Sequence, residues 1–411
     1  MREVRSSKYD RQERLHLWDQ KLIENSTILI AGIGGTGSEV AKNLSLLGIG
    51  HLILVDADTI EFSNLNRQLL FREEDIKENK AIIAKKRIQE GFNPDIEIRC
   101  YPNTLQTIPL RVFEEADIIS GCVDNFLARQ FLNSIAIELD KPLIDSATDG
   151  YFGQVQYIKP RLTACLACDN PPPPEETRVL TAPCTLVGTP RTKEHCAWKA
   201  LYEFNKKYKR EPKDSSRKDI IELKKLANKF SAEYKFGHFE EKELLQLILF
   251  HVPSLITVNA VISGIQSQEI IKALFLERRS FMKESEHKTL NNLIDAKRFR
   301  VSPFTIYSAL TGTINTFDLV RDPNCLVCGR DGVSTKSVQL LSVDQKSPFK
   351  VILKIMEQKY QKHFIGFRHN SLLPEDKKIE NLISDGDRIT LSSLIDDEEI
   401  RLKIKFKAEL A

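Results

Sequence analysis

The chain has 411 residues, enough for two or three domains and a large core. Charged residues make up 28% and the formal net charge is +3, which excludes the strong basic excess of a nucleic-acid-coating protein. No apolar run reaches membrane-spanning length and residues 1–8 lack a secretory apolar core, so the reading is a cytoplasmic protein without membrane or nucleic-acid partners.

Residues 9–18 (Tyr-Asp-Arg11-Gln-Glu-Arg14-Leu-His-Leu-Trp) form a polar-aromatic lead-in that reads as helical. From 27 to 160, strand-like runs at 27–31, 51–55, 96–100, 117–121, 142–145 and 154–158 alternate with helical stretches. That alternation predicts a mostly parallel sheet covered by helices, with ligands beyond the carboxyl ends of the strands. Gly32-Ile-Gly34-Gly35-Thr-Gly37 separates the first strand from a helical run at 38–47. Glycines there let backbone approach a phosphate, and a helix N-terminus favours negative charge. An acid ending the next strand, here Asp56 with Asp58 beyond it, can hold ribose hydroxyls. The loop alone fits any dinucleotide enzyme. The Asn64-Leu-Asn-Arg67-Gln68 that follows brings a cation, which suits a triphosphate better than a nicotinamide. A second strand end carries Gly121-Cys122-Val-Asp124-Asn125.

Four prolines at 171–174 read as a stiff connector. Residues 203–250 are rich in Lys and Glu, with helical periodicity at 220–230 and 241–250, and read as a small helical insert. Residues 254–276 are a long low-charge run, read as a helix returning to the first core. Eight cysteines in a reducing compartment argue for metal binding or catalysis rather than disulfides. Cys165-Leu-Ala-Cys168 and Cys325-Leu-Val-Cys328 offer four thiolates, which suit a tetrahedral structural zinc site. Spacing alone leaves redox pairs open, although neither lies in a thioredoxin-like context. Cys100, Cys122 and Cys196 read as small buried side chains. Residues 336–407 read as a separate module, with strands at 337–343, 388–391 and 401–406 and a helix at 348–362, in the order of a β-grasp unit.

Taken in order from Tyr9 to Cys328, these motifs resemble the ubiquitin-activating-type adenylating enzymes. That superfamily also includes the bacterial enzymes that adenylate sulfur-carrier proteins. In detail the chain is similar to the catalytic subunits that activate SUMO- and NEDD8-type modifiers. The resemblance implies an α/β fold in three parts. A Rossmann-like adenylation domain with a mostly parallel sheet spans 1–170 and 251–335. A catalytic-cysteine region with its helical insert spans 171–250, and a ubiquitin-fold-like domain spans 336–411.

It also implies ATP, Mg2+ and Zn2+ as cofactors. Arg67 and Lys80 match the phosphate-binding cations, Asp124 the magnesium-associated carboxylate and Asp56 the ribose-binding acid. Gly34, Gly35, Asp58, Asn64 and Gln68 match nearby nucleotide-site positions. Cys184, in Thr181-Ala-Pro-Cys184-Thr185 with Pro190-Arg191 and Glu194-His195-Cys196 after it, resembles the thioester-forming cysteine. Arg191 and Lys193 are near enough in sequence to lower its pKa. Members carry cysteine pairs where Cys165, Cys168, Cys325 and Cys328 stand, which favours zinc.

The implied partners are a ubiquitin-like modifier ending in Gly-Gly and a conjugating enzyme recruited by 336–411. Arg11 matches an arginine that reaches the partner subunit's ATP site. Because this chain carries both Arg11 and Cys184, the expectation is a symmetric homodimer. The runner-up is a sulfur-carrier adenylyltransferase that stops at the acyl-adenylate. A scaffold subunit would not need Arg67, Lys80, Asp124 and Cys184 together. A nicotinamide dehydrogenase lacks support, because no catalytic His–Asp or Tyr–Lys arrangement follows the loop.

Overall fold

The computed structural model describes residues 8–168, 193–208, 210, 212–213, 216–248, 255–282, 284–295, 298–325, 327–329, 338–368, 371–395 and 399–407. The chain divides into two units, one of Met1–Thr148, Phe152–Pro171 and Ile256–Ala411, the other of Asp149–Tyr151 and Pro172–Leu255.

In the first unit, β1 (Thr27–Ala31), β2 (His51–Val55), β3 (Glu97–Tyr101), β4 (Ile118–Gly121), β5 (Leu143–Asp149), β6 (Phe152–Ile158), β7 (Phe304–Ser308) and β8 (Thr313–Phe317) form one sheet. Their order is β3-β2-β1-β4-β5-β6-β7-β8. The first five run parallel, and β6 to β8 pair antiparallel. Ile28, Leu29 and Ile30 are all fully buried, without alternation, because both faces of β1 are covered. The order reverses beside β1: the chain builds outward to β3, then returns to β4 on the other side. Open α/β sheets take ligands at such a reversal, beyond the strands' carboxyl ends.

The helices of this half are α1 (Asp10–Glu13), α2 (Gln20–Glu24), α3 (Gly35–Leu47), α4 (Lys80–Gly91), α5 (Leu110–Glu114) and α6 (Phe126–Leu139). Val40, Leu44, Ala84 and Ile88 of α3 and α4 pack on one face, against Ile28 and Ile30. Val112, Phe113, Leu132 and Ile135 of α5 and α6 pack on the other, against Leu29 and Ala31. The lead-in is less helical than its sequence predicts. Only α1 forms, and Leu17 takes a positive φ of 74°. Side chains pin this stretch instead. Gln12 Nε2 donates to Leu47 O at 2.9 Å, and Trp18 Nε1 donates to Gln20 Oε1 at 2.9 Å.

The second unit holds α7 (Lys193–Tyr208), α8 (Arg217–Glu233) and α9 (Glu241–Ile248), around a core that includes Cys196, Ala200, Phe204, Leu223 and Phe239. Cys184, Arg191 and the prolines 171–174 lie outside the described residues.

The chain re-enters the first unit as α10 (Ile256–Glu277), which joins the α3 face through Val258, Ile262 and Ile270. α11 (Glu284–Asp295) and the β7–β8 hairpin follow, neither anticipated from sequence. Among the described residues no helix is long and apolar enough to cross a membrane.

A second sheet contains β9 (Val338–Val343), β10 (Phe364–Arg368), β11 (Ser371–Leu372), β12 (Arg388–Ser393) and β13 (Glu399–Phe406), in the order β11-β10-β12-β13-β9. The first and last strands pair parallel, and α12 (Lys350–Tyr360) buries Ile352, Leu353 and Met356 against the sheet, as in a β-grasp fold. This module meets α5 and α6 through polar contacts. Asp387 Oδ1 accepts from Leu110 N at 2.9 Å, Arg388 Nη1 donates to Glu138 O at 3.0 Å, and Lys403 lies 2.7 Å from Glu114.

Candidate functional site

The loop after β1 is held tightly. Gly32 has φ +86°, and a Cβ there would lie 2.6 Å from Cys122 O, so the glycine loop rests on the loop after β4. Gly34 faces outward: a Cβ on it would meet only Gln68 Nε2, at 3.9 Å. Gly34 is also the N-cap of α3 and supplies no side-chain acceptor, which leaves the helix's first amides available to an anion.

Asp56, at the end of β2, ties this loop to its own turn. Its Oδ2 accepts from Ile33 N at 2.6 Å and its Oδ1 from Asp58 N at 2.8 Å. Burial pushes its carboxyl up, partly offset by the nearby charge of Lys80 and by those amides. Lys80 opens α4, whose N-cap Asn79 accepts from Ile82 N and donates to Asp56 O at 2.9 Å. The Lys80 side chain is only 10% exposed, and its Nζ lies 2.9 Å from Asp58 Oδ2. The predicted acids and this cation therefore form one linked group.

Residues 64–68 form a compact turn beside the glycine loop. Asn64 is buried and its Oδ1 accepts from Glu61 N at 3.0 Å, while its carbonyl accepts from Gln68 N. A Cβ on Gly35 would lie 3.6 Å from Arg67 O, which puts the turn against the start of α3. The Arg67 guanidinium is half-buried and donates to Ser63 O at 2.6 Å. Gln68 is 4% exposed, and its Oε1 has no hydrogen-bond partner among the described residues.

Asp124 is exposed on the loop between β4 and α6 and makes no hydrogen bond among the described residues. Its neighbour Asn125 caps α6 by accepting from Ala128 N at 2.8 Å. The structure thus brings three segments together at the sheet reversal: the glycine loop, the 64–68 turn and the 122–125 loop. Arg11, by contrast, is exposed on α1 and makes no contact with the group.

A fourth contributor was missed in the sequence. Asn259 of α10 is fully buried; its Oδ1 accepts from Thr148 Oγ1 at 2.9 Å, and its Nδ2, without a partner among the described residues, faces Gly35. Further along the same helix Ser263 Oγ donates to Thr36 O at 3.0 Å. Gln266 Nε2 reaches Ser120 Oγ, Gly121 O and Ile144 O at 3.0, 3.1 and 2.9 Å. Asn259, Ser263 and Gln266 are fully buried at helical spacing, but other polar residues of α10, such as Thr257, Gln268 and Lys272, hide that stripe in the sequence.

The four paired cysteines meet in a separate buried cluster, their Sγ atoms all within 4.8 Å of one another. Cys165–Cys325, Cys168–Cys165 and Cys168–Cys328 are 3.7, 3.9 and 3.5 Å apart. A tetrahedron of Zn–S bonds of about 2.3 Å has edges of about 3.8 Å, so the cluster fits such an ion. These separations are far beyond a disulfide bond. Cys100 and Cys122 lie apart from the cluster, their thiols pushed up to about 11 by burial, which makes them inert at neutral pH.

The chain is similar in sequence to several known proteins and shares its fold with a solved structure. The "Ubiquitin-activating enzyme E1-like" protein of Saccharomyces cerevisiae is 34% identical over 268 residues, 62% of this chain and 40% of that protein, so the chain spans less than half of that relative. The "NEDD8-activating enzyme E1 catalytic subunit" of Dictyostelium discoideum is 27% identical over an alignment covering 92% of this chain and 88% of that protein. A crystal structure of E. coli MccB with AMPCPP and MccA shares the fold, with a TM-score of 0.50 at 19% identity over 79% of this chain and 75% of that one. The model of the ThiF family matches residues 9–327, the stretch that builds the sheet reversal and three of the four clustered cysteines, and the chain belongs to that family.

Proposed function

We propose that the chain activates a ubiquitin-like modifier in three steps. It adenylates the modifier's C-terminal glycine with ATP, takes the acyl group onto Cys184 as a thioester, and hands it to a conjugating enzyme recruited by residues 336–411. The observation that carries this reading is the meeting of glycine loop, 64–68 turn and 122–125 loop at the sheet reversal, with Asp56, Asp58 and Lys80 linked beneath them. The names of the relatives support it.

In the first step a carboxylate oxygen of the modifier attacks the α-phosphorus of ATP. The bond to the bridging oxygen breaks and pyrophosphate leaves with its electrons. The chain's task is positioning and charge. Asp56 would take the ribose hydroxyls, and Lys80 and Arg67 would face the phosphates. The partnerless Gln68 Oε1 and the open rim at Gly34 fit a polar ligand there. Asp124 would carry Mg2+, which neutralises phosphate charge. In the second step the Cys184 thiolate attacks the acyl carbon and AMP leaves. Zn2+ in the four-cysteine cluster would be structural, tying residues 165–168 to 325–328. Arg11, exposed and without a partner among the described residues, would serve the site of a second copy in a homodimer.

The test is incubation with ATP, Mg2+ and modifiers ending in Gly-Gly, read by ATP–pyrophosphate exchange and on non-reducing gels. Exchange and a thiol-sensitive adduct are expected. Cys184→Ala should keep the first and lose the second. Exchange without any adduct in the wild type would favour sulfur-carrier adenylation instead, and no exchange at all would overturn the adenylation reading.

A further inference from the structure

Asp124 has no hydrogen bond of its own among the described residues, so the segment on either side must hold it. That segment starts at Gly121, the last residue of β4, and continues into the first turn of α6 at Arg129. Asp145, opposite Gly121 in the β4–β5 register, touches both ends. A Cβ on Gly121 would lie 2.6 Å from Asp145 Oδ1, so only glycine leaves room for that carboxylate. At the other end, Arg129 Nη2 lies 3.1 Å from Asp145 Oδ2 and donates to Ser146 O at 2.5 Å. Ser146 Oγ closes the ring by donating to Gly121 O at 3.3 Å.

As a source of stability this pair is poor. The Asp145 side chain is fully buried. Neither of its oxygens, nor Arg129 Nε, has a hydrogen-bond partner among the described residues. A buried ion pair without directed hydrogen bonds repays little of its desolvation, and apolar residues of similar size usually do as well or better. The pair's distinctive property is its placement: one carboxylate fixes the start and the end of the segment that displays Asp124.

We propose that Arg129 and Asp145 are positioning residues that set Asp124 at the magnesium-nucleotide site. This rests on the reading of Asp124 given above. Neither side chain touches the nucleotide; the carboxylate sets where β4 ends and the guanidinium sets where α6 begins.

The test is calorimetric ATP binding, with and without Mg2+, for wild type, Asp124→Ala, Asp145→Asn and the paired apolar variant Arg129→Met/Asp145→Leu, each also melted thermally. The paired variant should fold with an unchanged or higher melting temperature. Its ATP affinity in the presence of Mg2+ should fall by about 10-fold or more, while its affinity in EDTA stays that of wild type. Asp145→Asn should weaken Mg2+-dependent binding in the wild-type background and do nothing further in Asp124→Ala, the signature of action through Asp124. That cycle decides the matter even if the paired variant does not fold. Wild-type Mg2+ dependence in the paired variant, or additive losses in the cycle, would reduce the pair to a purely structural role. If Asp124→Ala itself binds Mg2+–ATP like the wild type, the assignment of Asp124 falls, and this inference with it.

Discussion

The four-cysteine cluster offers the largest single perturbation. It ties Cys165 and Cys168 to Cys325 and Cys328, 160 positions further along the chain. Releasing a tie across a loop of about 160 residues returns roughly 5 kcal/mol of chain entropy to the unfolded state. The thiols are at most 8% exposed, so a cation there would compensate thiolate charge that water cannot reach. At roughly 2 °C per kcal/mol for a unit of this size, stripping the metal should lower the melting temperature by about 10 °C. The assay is metal analysis of protein purified without chelator, then melting before and after a strong chelator under reducing conditions. Cys165→Ser and Cys328→Ser should each reproduce the chelator's effect, because each opens the same tie. Less than about half an equivalent of zinc, or a melting temperature unmoved by chelation, would refute the structural-zinc reading. Recovery of the pairs as disulfides would reinstate the redox alternative.

Lys80→Ala removes the cation beside Asp58 and the charge that restrains Asp56, so exchange should fall by about 10²- to 10³-fold. A loss smaller than about tenfold would remove Lys80 from the phosphate site. Asp145 titrates near 6 against 3.8 for a free aspartate, because burial outweighs the facing charge of Arg129. The folded state therefore holds this proton more tightly than the unfolded chain. The group's contribution to stability falls as pH rises from about 4 to 6 and stays lower above that, by on the order of 3 kcal/mol. Melting wild type and Asp145→Asn in parallel from about pH 5 to 7.5 should show the gap moving in the variant's favour as pH rises, and a constant gap would contradict the burial argument. Glu138→Ala leaves Arg388, 19% exposed, with only the residue 138 carbonyl among the described residues and removes the carboxylate facing Arg401, and should cost about 2 kcal/mol, read as a lower melting temperature. No change there would mean that Leu110–Asp387 and Glu114–Lys403 suffice to hold the module.

The parallel strands were legible because their apolar runs are continuous and bounded by glycine or acidic turns, as at 27–31 and 51–55. Strand β8 was not, because all five of its residues are exposed and burial leaves no alternation to read. Strand β10 was hidden by Gly366. A glycine inside a strand reads as a break, but a Cβ there would meet the Phe349 ring at 2.3 Å. The lead-in failed for another reason: side-chain bonds from Gln12 and Trp18 reach sideways to α3 and Gln20 and compete with a continuous helix. At the site, Asp56, Asp58, Asn64, Arg67, Gln68, Lys80 and the glycine loop come from one stretch whose order carries meaning, so sequence could assemble them. Asn259 lies far along the chain and meets the glycine loop through burial, which single-sequence patterns do not report.

Two buried polar atoms argue that the sheet reversal is the part of the first unit suited to a ligand. Along β1 and β2 the interior is wholly apolar: Ile28, Leu29, Ile30, Leu52, Ile53 and Leu54 are 1% exposed or less. Beside the glycine loop stand Gln68 Oε1 and Asn259 Nδ2, each buried and without a hydrogen bond among the described residues. An unmet buried polar group costs about 1–3 kcal/mol. A core selected only for stability would fill both positions with apolar side chains, as it has along β1. Their place beside Gly34 and Gly35, at the start of α3, is what a site held ready for a polar ligand requires. Helix α10 completes the argument, because its buried polar stripe reaches Gly35 through Asn259, Thr36 through Ser263 and the ends of β4 and β5 through Gln266. On the proposed reading the stretch 32–129 supplies the groups that face a nucleotide, while a helix more than a hundred residues later holds the loops in place. The site exists only once both parts of the first unit have folded together.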